Sequence, residues 1–163
     1  MAIKKDKKEE ICKKVQGIVK DFSTVVFVNF HGLNVTDATQ LKNSLREENS
    51  FYTVVKKTLA RKSFQDSSIG GVLPELEGEL ALAYSEDQIA PARGVFEFQK
   101  KHKDNISILG GIFDGVYVDK AKMSSIAQIP SMLTLRAQFV NVINSPIQGL
   151  VIALNQIAEK REA

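Results

Sequence analysis

The sequence predicts an α/β (α+β) fold: a single N-terminal domain with a mixed sheet flanked by helices, followed by an extended, kinked C-terminal helix. Three observations carry this. Short runs rich in β-branched and aromatic residues alternate with amphipathic stretches as far as Pro130. Beyond it, apolar residues recur at steps of three and four over a long, almost uncharged segment. The chain has 163 residues, 44% of them hydrophobic and 25% charged, which suits one ordinary domain and an appendage. The expected division is 1–130 and 131–163.

Residues 5–20 place Ile11, Val15, Ile18 and Val19 on one side with lysines between them, an amphipathic helix with a basic outer face. Residues 23–30 (STVVFVNF) are nearly continuous in apolar character, as in a buried strand. A turn at 31–34 leads to a helix capped by Thr36 or Asp37 and running to Glu48, with Leu41 and Leu45 inward. Residues 51–55 (FYTVV) form a second strand, and Thr58 is expected to cap a short helix over 59–64. Pro74 keeps 65–78 from being one long helix. A third strand covers 80–84, and a helix covers 87–102 with Pro91 in its first turn. Strands at 106–109 and 116–118 flank two turn signals, Gly110-Gly111 and Asp114-Gly115. Asp119 then caps a helix ending near Ala127.

In the tail, Leu135, Phe139, Ile143, Ile147, Leu150, Leu154 and Ile157 form a stripe that Val140, Val142, Val151 and Ala158 widen. Pro146 predicts a kink and two helical halves. A stripe this broad must fold back onto the body or enter another chain. Insertion into a bilayer is disfavoured by Asn141, Asn144, Ser145, Gln148, Asn155 and Gln156, and the lysine-rich polar face of an interfacial helix is missing.

The formal net charge of +3 is unevenly distributed. Residues 1–20 hold seven lysines against three acids, and residues 42–62 hold six cations against two acids. Residues 66–100 reverse the sign, with seven acids against two cations. One sign concentrated in the first third points to a polyanion, and so to nucleic acid. The start, MAIKKDKKEE, has no apolar signal region. The single cysteine, Cys12, can form no internal disulfide and no thiolate zinc site, in keeping with a cytoplasmic protein.

The strongest cluster is Lys56, Lys57, Thr58, Arg61 and Lys62 at a strand-to-helix junction, where unpaired N–H groups and four cations would hold phosphates. Lys4, Lys5 and Lys8 on the first helix are outer candidates. His31 reads as a solvated loop residue, and His102 as a helix end among cations. No phosphate-binding glycine loop, dinucleotide fingerprint or nucleophile elbow occurs, and Glu75, Glu77 and Glu79 have no partner histidine. The expectation is a binding protein without enzyme activity, metal, cofactor or small-molecule substrate.

Several strings in order resemble one family. Residues 51–63 (FYTVVKKTLARKS) are similar to the "Y-x-V-V-K-N-T-L-x-R-x-A" signature of the bacterial large-subunit ribosomal protein ten family, the stalk-base proteins (P-zero in eukaryotes). Phe30-His31-Gly32-Leu33 resembles its "F-x-G-L-T" loop, and LKNSLREEN at 41–49 its "L-R-x-x-L-R-x-x-G" helix. Residues 108–118 look like its glycine-pair segment, and Ile129-Pro130-Ser131 like "L-P-S".

The resemblance implies an N-terminal domain on large-subunit ribosomal RNA at the GTPase-associated region, beside ribosomal protein eleven. It implies a C-terminal helix holding dimers of the small acidic stalk protein, which recruit translation factors. The matched RNA-side positions are Gly32, Leu33, Lys56, Lys57, Thr58, Arg61 and Lys62. Partner grooves would receive Leu135, Phe139, Ile143, Ile147, Leu150, Val151, Leu154 and Ile157, in two dimer sites on either side of Pro146. The chain departs from the family pattern at Lys57 (asparagine is usual), at Gly78-Glu79-Leu80 (Gly-Pro-Thr is frequent) and at Asn34 (threonine is common). A competing expectation is a free RNA-binding regulator that represses its own message and self-associates through the tail.

Overall fold

The computed structural model describes residues 5–65, 69–102 and 105–162. Met1–Ile129 form one compact unit and Pro130–Ala163 a second. In chain order the first unit contains α1 (Lys5–Asp21), β1 (Thr24–Phe30), α2 (Val35–Glu47), β2 (Phe51–Val55), α3 (Lys57–Gln65) and β3 (Leu80–Ser85). It continues with α4 (Ala90–Lys101), β4 (Ile106–Phe113), β5 (Val116–Asp119) and α5 (Lys120–Ala127). The second unit holds α6 (Met132–Glu162).

The strands form one sheet in the order β2-β3-β1-β4-β5, and every ladder between them is antiparallel. The mixed character expected of the sheet is confined to one parallel bridge, Gly70 to Val116, which shields the outer edge of β5. β1 is central and buried on both faces, which is why its sequence lacks alternation. On one face Val26 and Val28 pack with Leu41 and Leu45 of α2, Val95 of α4 and Met123 of α5. On the other, Val25 and Phe27 pack with Val15 of α1 and with Ala60 and Phe64 of α3. The sheet thus lies between α2, α4 and α5 on one side and α1 and α3 on the other.

Four local expectations change. Asn34, rather than Thr36 or Asp37, caps α2, its Oδ1 accepting the Val35 N–H at 2.7 Å. α4 begins at Ala90, because Ser85 Oγ and Asp87 Oδ1 accept the N–H groups of Asp87 and Ile89 in a preceding turn. Gly110-Gly111 is strand, not turn: β4 passes through it, and the register against β1 shifts between Phe27 and Val28. Leu109 is the extra residue of that bulge, and Gly110 sits at φ +147°, where a Cβ would meet the Val118 carbonyl at 2.6 Å. Finally, α6 is continuous through Pro146, so the proline does not divide it into two helices. One missing N–H removes a single bond from a helix of 31 residues, and its neighbours hold the rest.

Candidate functional site

β1 and β2 both run antiparallel to β3, so they point the same way and their following turns leave the sheet at the same end. The β1–α2 loop carries Gly32 and Leu33, and the β2–α3 junction carries Lys56, Lys57 and Thr58. The two candidate segments, 23 residues apart between Leu33 and Lys56, therefore lie at the same end of the sheet, on either side of β3. Gly32 is exposed with φ +67°, a backbone conformation that favours glycine. The Leu33 side chain is half-buried and packs against the core.

The Lys56 carbonyl accepts the N–H groups of Leu59 at 2.9 Å and Ala60 at 3.1 Å, so Lys56 occupies the capping position of α3. Thr58 consequently lies inside the first turn and is not the cap. Ala60, Ser63 and Phe64 turn inward, leaving Lys57, Thr58, Arg61 and Lys62 exposed on the outer side. Lys57 and Arg61 are one turn apart, as are Thr58 and Lys62.

α1 packs on α3 in the same layer. Cys12 Sγ lies 4.0 Å from the Leu59 carbonyl oxygen, and Ser63 Oγ donates to that oxygen at 3.0 Å, with the Cys12 carbonyl at 3.5 Å. Lys7, Lys8, Lys13, Lys14 and Lys20 are exposed on α1. The exposed cations of α1 and α3 thus share one side of the sheet, whereas Lys42 and Arg46 of α2 lie on the other. Lys5 opens α1, while Lys4 and the Lys5 side chain lie outside the described residues.

Two neighbouring clefts, one at the sheet end and one between α2 and β2, share Phe30 and Val54 in their linings. The first, about 500 Å³, is completed by Val55, Lys56, Lys57, Thr58, Gly78, Glu79 and Leu80. The other, about 530 Å³, adds Leu33, Val35, Ala38, Thr39, Lys42, Tyr52 and Thr53. Burial pushes the Tyr52 hydroxyl up to about 12. Sequence reasoning gave no site role to Phe30, Tyr52, Val54 or Lys42. Lys42 opens the basic run 42–62, and Val54 stands out as an apolar residue next to the inward Val55, but its meaning depends on β2 being an edge strand.

His31 is exposed, with its backbone N–H donating to the Asn105 carbonyl at 2.9 Å. His102 stacks on Phe98 at 4.6 Å at the end of α4. Glu75, Glu77 and Glu79 are all exposed. No group of three or more His, Cys, Asp or Glu placed to hold a metal occurs among the described residues.

Along α6, Phe139, Ile143, Ile147, Leu150, Val151, Leu154 and Ile157 are exposed, and Leu135 is half-buried. At about 100° per residue these side chains share one side, whereas Asn141, Asn144, Ser145, Gln148, Asn155 and Gln156 share the other. Two residues break the segregation: Arg136 falls among the apolar side chains, and Ile152 among the amides. Among the described residues this is the one helix long and apolar enough to cross a membrane, with a mean hydropathy of 1.3. Its continuous amide face is costly in hydrocarbon.

Residues 3–100 match the family model described as Ribosomal protein L10. Over 163 residues, all of this chain and 98% of the relative, the chain is 34% identical to "Large ribosomal subunit protein uL10" of Burkholderia ambifaria. The same-named proteins of Burkholderia cenocepacia and Burkholderia multivorans are each 33% identical over the same spans. The similarity extends from the basic first helix through the sheet to the apolar tail, and the chain belongs to the ribosomal protein L10 family.

Proposed function

We propose that this chain is a structural protein of the large ribosomal subunit that forms the base of the ribosomal stalk. Its first unit anchors on large-subunit ribosomal RNA at the GTPase-associated region, beside ribosomal protein eleven. Lys56, Lys57, Arg61 and Lys62 hold phosphates, Gly32 lets the neighbouring backbone approach, and Lys4, Lys5 and Lys8 add outer contacts. α6 seats two dimers of the small acidic stalk protein, its apolar side chains entering their grooves. The protein works bound to ribosomes in the cytoplasm, by tethering rather than by catalysis. Holding flexible acidic dimers where translation factors arrive raises their effective concentration.

The observation that supports this reading is where the exposed side chains fall in the two units. The exposed cations of α3 lie in the first, and the exposed apolar side chains of α6 in the second. Both sets face solvent, and each suits a different class of partner. Filter binding of the full chain to a transcript of the GTPase-associated region tests the RNA half. Tight, salt-sensitive binding that is lost when Lys56, Lys57, Arg61 and Lys62 are all alanine supports the reading. Equal binding by that variant contradicts it.

A further inference from the structure

The two neighbouring clefts together form a surface with apolar walls and a cationic rim. Phe30, Leu33, Val54 and Leu80 supply the walls, and Lys42, Lys56 and Lys57 stand at the edge, with Glu79 the opposing carboxylate. Val54 is 59% exposed and Val35 78% exposed, so this apolar surface faces water in the free chain. Each cleft falls within the range of small-ligand clefts, roughly 300–1,000 Å³.

We propose that this surface seats unstacked bases of a looped RNA segment, with their phosphates on Lys42, Lys56 and Lys57. The inference rests on the RNA reading above and narrows it from RNA in general to unpaired nucleotides. A duplex keeps its base faces stacked inside and offers only phosphates, sugars and groove edges, for which apolar walls provide no partner. A splayed nucleotide carries a flat apolar face and an anion on one unit, matching wall and rim together. Phe30 and Val54 line both clefts, so successive bases in neighbouring clefts can share contact with one ring. An uncharged apolar ligand would leave the lysines without a role. An acidic peptide would satisfy the lysines but carries its charge apart from any flat ring that could lie on Phe30.

The test is fluorescence anisotropy of the full chain with a labelled oligouridine and with a blunt RNA duplex of the same length, at matched salt. The single strand is expected to bind more tightly. Val54→Gln, at an exposed position that spares the fold, lowers single-strand affinity about fivefold and leaves duplex affinity unchanged; Phe30→Ala lowers it about tenfold. Val116→Gln, at an equally open site on the far edge strand, changes neither. Duplex binding as tight as single-strand binding overturns the proposal while leaving the RNA reading standing. So does a Val54→Gln variant that affects both probes equally, or neither. Failure to bind either probe overturns this proposal, and the transcript of the GTPase-associated region then decides separately whether the RNA reading stands.

Discussion

Cys12 Sγ lies 4.0 Å from the Leu59 carbonyl oxygen, and this approach is where α1 meets α3. It places the exposed cations of α1 and α3, separated by the length of β1, α2 and β2, in one layer on one side of the sheet. Val15, 1% exposed, is the buried residue of α1 behind that contact. Val15→Ala should cost about 1–2 kcal/mol in urea unfolding, from lost burial and the cavity left behind. Val15→Asp should cost more than about 3 kcal/mol and weaken RNA binding as α1 detaches. RNA affinity unchanged in a folded Val15→Asp variant would separate α1 from the interface.

The exposed cations of α3 make a quantitative prediction. Lys57→Ala and Arg61→Ala should each flatten the plot of log affinity for RNA against log salt by roughly 0.7–0.9, one phosphate contact apiece. Because both side chains are exposed, the thermal midpoint should stay where it is. Filter binding across a salt series reads the slope.

A second pair holds α2 to α4. Arg93 Nη2 lies 3.0 Å from Glu48 Oε1, with side-chain exposures of 19% and 33%. Glu48 Oε2 is buried without a hydrogen-bond partner, so the guanidinium is the main compensation for this carboxylate. Arg93→Ala should destabilise the fold by about 1–3 kcal/mol without touching RNA affinity, read by urea unfolding and filter binding side by side.

Tyr52 sets an alkaline limit. Its hydroxyl titrates near 10.0 in an unfolded chain, and burial pushes it up to about 12 in the fold. Across that window the folded state holds more protons, so stability is full below the lower value and falls as pH rises through the upper one. The ring is partly open to water, and the loss should reach no more than about 2 kcal/mol after screening. Tyr52→Phe should make the urea midpoint less sensitive to pH. Tyr117, also raised by burial, keeps some slope in the same direction.

The sequence made the elements legible wherever the signal was local. The unbroken apolar run of β1 declared a strand buried on both faces, and the spacing of Leu41 and Leu45 declared the inner side of α2. Signals that depend on distant partners were misleading. Gly110-Gly111 reads as a turn, yet the pair lies in a strand because the sheet needs a bulge and close backbone approach there. Thr58 reads as a cap, yet the helix starts two residues earlier than expected and the Lys56 carbonyl accepts its first bonds. The basic half of the candidate site was visible as a charge run. Its apolar half was not, since Phe30 and Val54 line the same clefts only through the parallel course of two strands that are not neighbours.

The tail separates cleanly from the rest in its predicted behaviour. Leu150 is 64% exposed and Leu154 57% exposed, so replacing both by Asp should leave the unfolding midpoint and RNA affinity intact. The same pair should abolish occupancy of one stalk-dimer site, read by co-purification with the acidic stalk protein. Parallel loss of RNA binding would mean that the two units do not act independently.

The most direct measurement is native mass spectrometry of the full chain co-expressed with the small acidic stalk protein of the same cell, beside a chain truncated after Ser131. The account predicts one copy of this chain with four of the stalk protein, reduced to the bare chain on truncation. A full-length chain that ignores the stalk protein and pairs only with itself would contradict the stalk-base reading and favour a free RNA regulator.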